Sequence, residues 1–200
     1  MRCPPLSRHT GRCHAAIVLR AGLVALAFLS SGATAAPQYA RTVALYTPPD
    51  VTLVDMTGAA TPLGSVLNHA GPLLLQFIFT TCPTVCPVLS EAFAAAQDRL
   101  GPALENVRMV SISIDPEHDT PARLQAYARQ HKARRHWRFL TGRREDIITV
   151  QKAFDAYWGN KMRHIPLTYL RAAPGAPWVR LEGFMSAAEL VVEYDRLLGR

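Results

Sequence analysis

The 200-residue chain has few cysteines, no internal repeat and no acidic residue among its first 36 positions. Its apolar stretch from Ala15 to Leu29 is interrupted by Arg20, and it is too short for a comfortable membrane span. No cysteine follows that stretch at a cleavage point, which argues against a lipid-anchored precursor. Only Cys82 and Cys86 lie beyond residue 36. A disulfide between them would stabilise the fold little, because it closes a very short loop and removes little entropy from the unfolded chain.

The first 36 residues instead have the features of a secretory signal peptide. Their four arginines form a positive n-region, Ala21 to Leu29 forms a short apolar h-region, and Ala33-Thr34-Ala35 matches a small-residue cleavage site. The sequence therefore predicts export to the periplasm or another extracytoplasmic space. The alternative is that residues 1–36 stay attached as an uncleaved membrane anchor.

The formal charge of +7 is concentrated in the same segment. Without its four arginines the chain has 18 basic and 15 acidic residues, a net charge of +3. So small an excess is not the electrostatic footprint of a nucleic-acid-binding protein, and we expect no nucleic-acid partner. The remaining basic cluster is interpreted as a solvated surface; it consists of Lys132, Arg134, Arg135 and Arg138.

The pattern of apolar residues predicts one α/β domain. Residues 37–50 contain proline and are expected to form an irregular lead-in, and residues 51–200 form the domain. Strands alternate with helices and are followed by a hairpin and a last helix, which indicates a mixed central sheet flanked by helices. Predicted strands cover 51–55, 73–79, 107–114, 137–140, 167–171 and 178–182, and predicted helices cover 87–100, a segment from 121, 145–158 and 187–198.

The loops that follow two buried strands are where a ligand site is expected, because ligands in such sheets bind beyond the carboxyl ends of the strands. Cys82 and Cys86 come directly after one of these strands, and Asp115 comes after the next. Since a carboxylate is a hard ligand, we expect Asp115 and its loop to shape the site without binding a soft metal directly. Asp119 or Thr120 is expected to cap the helix that follows.

The segment Cys82-Pro83-Thr84-Val85-Cys86-Pro87 indicates redox or metal chemistry. Each proline disfavours the helical conformation for the residue before it, so Cys82 is expected on a loop and Cys86 at or just before a helix N-terminus. The helix dipole and free N–H groups there would stabilise a thiolate and lower the thiol pKa. Two sulfurs on so short a loop can bond to each other or bind one soft metal ion, Cu(I) or Zn(II).

A metal would need a further ligand, since two sulfurs do not complete a tetrahedral zinc site. Beyond residue 36 the candidates are His69, His118, His131, His136 and His164. His69 is expected at a helix end, His118 on a loop surface, and the next two in a basic surface stretch. His164 begins a loop that enters a strand, and Met162 is a softer alternative beside it.

In these residues the chain resembles the Sco/SenC family of copper-binding assembly factors for cytochrome c oxidase. The resemblance covers nearly all of residues 45–198. It is carried by Phe79-Thr80-Thr81-Cys82-Pro83-Thr84-Val85-Cys86-Pro87, by Ser111 to Pro121, by Trp137 to Gly142 and by His164 to Leu170, in that order. It implies a thioredoxin-like fold and a copper site made of Cys82, Cys86 and His164.

The resemblance also implies a copper chaperone with thiol redox chemistry, which assists assembly of the copper site of a respiratory oxidase. Its partners would be an oxidase subunit or another copper donor or acceptor, and a thiol-disulfide reductant. Thr84 stands where the family often has an acidic residue, and Arg163 and Ile165 replace the usual neighbours of the ligand histidine. A ligand histidine donates its second N–H to an acceptor, which Arg163 cannot supply.

A copper-independent alternative depends on Pro166. The segment Pro166-Leu167-Thr168-Tyr169-Leu170 also resembles the cis-proline strand of thioredoxin-like thiol oxidoreductases, which would make the chain an exported disulfide reductase. The CxxxC spacing and the lack of a tryptophan before Cys82 count against it. A peroxiredoxin is disfavoured because Phe79 stands where that family has threonine, and a scaffold that only binds partners would need no reactive cysteines.

Overall fold

The computed structural model describes residues 38–200, and the predicted signal peptide of residues 1–36 lies outside the described residues. The strands are β1 (Tyr39–Ala44), β2 (Thr52–Asp55), β3 (Ala60–Pro62), β4 (Leu73–Ile78), β5 (Arg108–Ser113), β6 (Trp137–Thr141), β7 (Leu167–Arg171) and β8 (Trp178–Gly183). The helices are α1 (Leu63–Leu67), α2 (Val85–Leu100), α3 (Pro121–Gln130), α4 (Arg144–Ala153) and α5 (Ala187–Leu197), with 3-10 turns at Gly101–Asn106 and Lys161–Arg163. Between residues 38 and 200, every helix is too short or too polar to cross a membrane.

These eight strands form one mixed sheet in the order β1-β8-β7-β4-β5-β6-β2-β3. β4, β5 and β6 are parallel, and all other neighbours are antiparallel. Parallel neighbours need a crossover connection, which α2 supplies between β4 and β5 and α3 supplies between β5 and β6. The predicted α/β class with a mixed sheet is confirmed.

Alternate side chains of the central strands divide between two cores, because successive residues of a strand point to opposite faces. On one face Leu74 of β4 packs in a cluster with Phe93 of α2. On the other face Leu75 packs in a cluster with Val150 of α4. The sheet is therefore the middle of three layers, with α2, α3 and α5 on one side and α1 and α4 on the other. Burial on both faces explains why β4 is apolar at nearly every position.

The expected irregular lead-in of residues 37–50 is wrong for Tyr39–Ala44. This segment is β1, which pairs with β8 along its whole length at the edge of the sheet. Two of its side chains also bind the buried carboxylate of Glu193 on α5, Tyr39 at 2.8 Å and Arg41 at 2.9 Å. The strand is possible because Pro48 and Pro49 come after it and interrupt no ladder hydrogen bond.

Two helix ends also differ from prediction. α2 begins at Val85 rather than near Pro87, so Cys86, expected at or just before the helix N-terminus, lies in the first helical turn. Pro87 is tolerated there because the first N–H groups of a helix have no intrahelical partner. α4 ends at Ala153 rather than Trp158, and the chain turns out of it through Asp155, whose φ is 50°.

The cap of α3 is Thr120, one of the two expected residues. Its side-chain oxygen accepts a hydrogen bond from the N–H of Arg123 at 3.4 Å. Asp119 does not cap the helix, because its carboxylate is turned inward to bind Thr80 and Ser113. The loop after β5 is thus tied to the end of β4, where the cysteine segment begins.

Candidate metal centre

Strand pairing brings the three candidate ligands to one edge of the sheet. β4 leads through Cys82 into the first turn of α2, which carries Cys86. β7 runs antiparallel beside β4, so the start of β7 lies at the carboxyl end of β4. His164 stands three residues before β7 and is therefore delivered to the same edge.

The sulfur atoms of Cys82 and Cys86 and a ring nitrogen of His164 lie within 4.8 Å of one another. Cys86 Sγ is 3.4 Å from His164 Nε2, and the Cys86 backbone N–H donates to Cys82 Sγ at 3.3 Å. Both cysteines are free thiols, and both are buried. Within residues 38–200 these residues are the one group of three or more His, Cys, Asp or Glu side chains close enough to share a metal ion.

The orientation of the His164 ring is set by two neighbours. Nδ1 is 3.0 Å from the carbonyl oxygen of Lys161, which can only accept, so Nδ1 donates and Nε2 keeps its lone pair beside Cys86. Phe79 packs edge-on against the ring, with centroids 5.2 Å apart and ring planes at 70°. The acceptor that Arg163 cannot supply is thus provided by the backbone.

Burial controls the protonation of two of these groups. It raises the pKa of the Cys86 thiol far above its ordinary range, and the N–H of Phe79 at 3.4 Å only partly offsets the loss of water. The expected lowering of the pKa by the α2 dipole is therefore wrong for Cys86. Burial also lowers the pKa of His164, and the hydrogen bond to the Lys161 carbonyl, which acts in the opposite direction, has the smaller effect. The imidazole is therefore neutral at pH 7. Neutral imidazole is the form that binds metals.

Lys161 joins the histidine loop to the loop after β5. Its ammonium group is 2.5 Å from Asp115 Oδ2 and 5.6 Å from the ring centroid of Phe79. Asp115 itself lies outside the cysteine–histidine group. Sequence reasoning recognised Asp115 but assigned no positioning role to Phe79 or Lys161. For Phe79, the signal was its place at the end of a buried strand directly before the cysteine segment.

The remaining histidines of the described part of the chain, His69, His118, His131 and His136, lie outside the group. The surface position expected for His131 is wrong, because its side chain is 6% exposed and packs on Tyr127 with ring centroids 4.5 Å apart. Met162, the softer alternative, is 61% exposed. Pro166 precedes β7, and its carbonyl accepts from Gly183 N–H at 3.0 Å.

Comparison with known proteins gives a family match over most of the chain. The SCO1/SenC family model matches residues 48–196. A SCO1 protein homolog from Bacillus subtilis is 39% identical over 70 residues, which are 34% of this chain and 36% of that protein. The chain thus spans about a third of the length of this relative.

Solved structures of the family share the fold. ScoI of Bradyrhizobium japonicum, determined with copper bound, superposes with a TM-score of 0.61 at 26% identity and covers 77% of this chain and 99% of that one. BsSco is described as a cytochrome c oxidase assembly protein of the Sco family with a disulfide switch. It matches with a TM-score of 0.61 at 27% identity over 76% of this chain and 94% of its own. The thioredoxin-like fold implied by the resemblance is confirmed.

Proposed function

The chain belongs to the SCO1/SenC family, and on that premise we propose that it is a copper-binding chaperone for the copper site of a respiratory cytochrome c oxidase. The observation that carries the proposal is the group of Cys82, Cys86 and His164, whose ligand atoms lie within 4.8 Å. Copper is the cargo of such a protein. The copper held by ScoI and the assembly role of BsSco support the same function here.

The donor set favours Cu(I) over harder or more highly coordinated ions. Two thiolates and a neutral imidazole are soft to borderline ligands. Zinc would require a fourth ligand, and across residues 38–200 no other His, Cys, Asp or Glu joins the group. Two thiolates around Cu(I) carry a net charge near minus one, which the exposed cation of Arg163 beside His164 can offset.

We further propose that Cys82 and Cys86 cycle between a dithiol and a disulfide. Oxidation joins the two sulfurs and releases two protons and two electrons, which pass to the disulfide of a partner protein that becomes a dithiol. The proximity of the two free thiols supports this step, as does the disulfide switch of BsSco. The same chemistry without copper is the second candidate function, an exported disulfide reductase, which would require Pro166 to face the thiols.

Anaerobic Cu(I) competition against a chromophoric chelator, run beside a disulfide-reduction assay, separates the two functions. His164→Ala should lose on the order of a hundredfold in copper affinity or more, yet keep its thiol cycling. His118→Ala is the matched control, because that histidine is exposed and outside the group. Pro166→Ala should impair disulfide reduction more than copper binding. Unchanged copper affinity in His164→Ala would overturn the copper site and favour the reductase.

We also propose that the protein acts outside the cytoplasm, exported by residues 1–36. N-terminal sequencing of the exported protein should begin at Ala36 or Pro37. Cleavage there leaves β1, which begins at Tyr39, complete. Recovery of intact residues 1–35 on membranes would show the uncleaved anchor instead.

A further inference from the structure

The segment between α4 and β7 carries exposed side chains that are neither proposed copper ligands nor part of the core. Tyr157, Trp158 and Met162 are 40%, 42% and 61% exposed. Together with the exposed Arg163 they form what we call the His164 rim, because the next residue is the candidate ligand. Tyrosine, tryptophan, methionine and arginine are the types enriched in protein–protein interfaces.

A cavity of about 310 Å³ opens beside this rim. Tyr157 and Trp158 form part of its wall, Ile147 of α4 and Ile114 line it as well, and His164 itself belongs to the lining. The cavity is therefore continuous with the metal site. Its size and mixed wall suit a large apolar side chain, which is the usual anchor at the centre of an interface.

Charges at the cavity show which partner fits. The two acids in the lining are already paired, Asp115 with Lys161 and Glu117 with Arg144. Between Tyr157 and His164 the sequence has two cations and no acidic residue, and exposed Asp155 just before this stretch is an acid that forms no ion pair within residues 38–200. Of the cations next to the rim, Arg163 and Lys152 form no ion pair within residues 38–200, although Lys152 Nζ lies 5.3 Å from the Tyr157 ring centroid. The two unpaired cations outnumber Asp155, and aromatic and aliphatic side chains form part of the otherwise polar cavity wall. This combination is complementary to an acidic surface that carries an apolar residue.

We propose that the His164 rim and its cavity dock an acidic loop of the protein that exchanges copper with this chain. An aromatic or aliphatic side chain of that loop enters the cavity. The inference rests on the proposed function, since it assigns the partner's chemistry at the same site. Attraction between the unpaired cations and the acidic loop speeds the encounter, and the buried anchor sets how long the complex lasts. The partner's ligands are thereby held beside His164.

Trp158 provides a direct reporter of cavity occupancy. The chain has three tryptophans, and Trp137 and Trp178 are buried. Quenching of tryptophan fluorescence by acrylamide in the reduced, metal-free protein therefore reports mainly on Trp158. Three capped pentapeptides serve as probes: an acidic one with a central phenylalanine, the same peptide with lysines for its acids, and the acidic peptide with alanine for phenylalanine.

The acidic phenylalanine peptide at millimolar concentration should protect Trp158 from quenching, and added salt should weaken the effect. Lys152→Glu should weaken binding of this peptide severalfold. Arg99→Glu, near the other end of α2 and about 20 Å along the helix from Cys86, is the matched control and should leave it unchanged. Equal protection by the lysine peptide, by the alanine peptide or by acetate alone would overturn the proposal, as would no protection by any probe.

The assay is independent of copper, so the two proposals can fail separately. Lys152→Glu should keep the parent's Cu(I) affinity while it loses peptide binding, which supports docking as a distinct property. If the acidic peptide protects Trp158 of the parent protein but the parent binds no Cu(I), the proposed function is overturned and only the docking surface is supported.

Discussion

Asp119, which is completely buried, accepts hydrogen bonds from both the N–H and the hydroxyl of Thr80, at 3.0 and 2.5 Å. The hydroxyl of Ser113 donates to the same carboxylate at 2.6 Å. One side chain thus satisfies three donors and ties the chain two residues before Cys82 to the end of β5. This carboxylate holds the entry to the cysteine segment together with Cys86, whose Sγ accepts from the N–H of Phe79 at 3.4 Å.

Replacing Asp119 should destabilise the fold strongly. Asp119→Ala leaves three hydrogen-bond donors of Thr80 and Ser113 without their acceptor. Because a buried donor without a partner destabilises the folded state, we expect the free energy of unfolding to fall by about 3 kcal/mol. Asp119→Asn keeps the shape of the side chain and one acceptor oxygen, so its free energy of unfolding should fall by less. Urea unfolding of the reduced protein measures both.

Thr120→Ala is the matched control for this variant, because it removes only the cap of α3 and should cost about 1 kcal/mol. If Thr120→Ala proved more damaging than Asp119→Ala, the assignment of Thr120 as cap and Asp119 as internal tie would be wrong.

The ion pair between Lys161 and Asp115 should support copper binding from a distance. It fixes the turn whose carbonyl orients His164, so Asp115→Asn or Lys161→Gln lets that turn move. A partly exposed pair of this kind contributes about 1 kcal/mol, which corresponds to about a fivefold loss of Cu(I) affinity. The double variant should lose little more than either single one, because both changes break the same pair.

Chelator competition and circular dichroism together test this expectation. Arg143→Gln breaks the exposed pair with Asp146 on α4 and should not alter copper affinity. A complete loss of copper binding in Asp115→Asn, with the fold intact, would instead identify Asp115 as a metal ligand.

Copper loading should release protons at pH 7. Burial raises the pKa of the Cys86 thiol, so it is protonated in the metal-free protein and must lose its proton to bind Cu(I). His164 contributes none, because its lowered pKa already leaves it neutral. The Cu(I) affinity should therefore rise with pH by about tenfold per unit for the Cys86 proton. Calorimetry in two buffers of different ionisation enthalpy counts the protons, and a count of zero would contradict the assignment.

Mild acid should weaken the fold through buried His131 and half-buried His164. Burial lowers the pKa of His131 and of His164 in the folded protein. Below about pH 6.5 the unfolded chain therefore binds more protons than the folded chain. The free energy of unfolding should consequently fall as pH decreases from 7 towards 5. His131→Gln should reduce this slope, and exposed His118→Gln should not. Equal slopes in both variants would show that His131 is not responsible.

Cys82 and Cys86 should form one reversible disulfide in the exported protein. Alkylation without reductant should then modify neither residue, and alkylation after mild reduction should modify both, as counted by mass spectrometry. Modification of the reduced protein should be slow, since Cys86 is buried and its raised pKa leaves little thiolate. Thiols that stay free under a copper-free oxidant would exclude the redox cycle.

The central layer and the cysteine segment could be predicted from the sequence because their signals are local. The apolar run that becomes β4 is bounded by polar loops, and a strand of that kind is buried whatever surrounds it. The prolines beside Cys82 and Cys86 restrict their own neighbours within a few residues. Local pattern placed the other histidines at a helix end, on a loop surface or in a basic stretch, and resemblance to a known family then identified His164 as the ligand.

The sequence by itself determined which residue types are available at this edge of the sheet: two thiols, an imidazole and the cations around them. Only the tertiary structure decided how they act. The pairing of β7 beside β4 places His164 next to Cys86. The carbonyl of Lys161 accepts the second N–H of His164, which the side chain of Arg163 cannot do. The raised pKa of Cys86 likewise arises from burial by residues distant in sequence, which position at a helix N-terminus does not reveal.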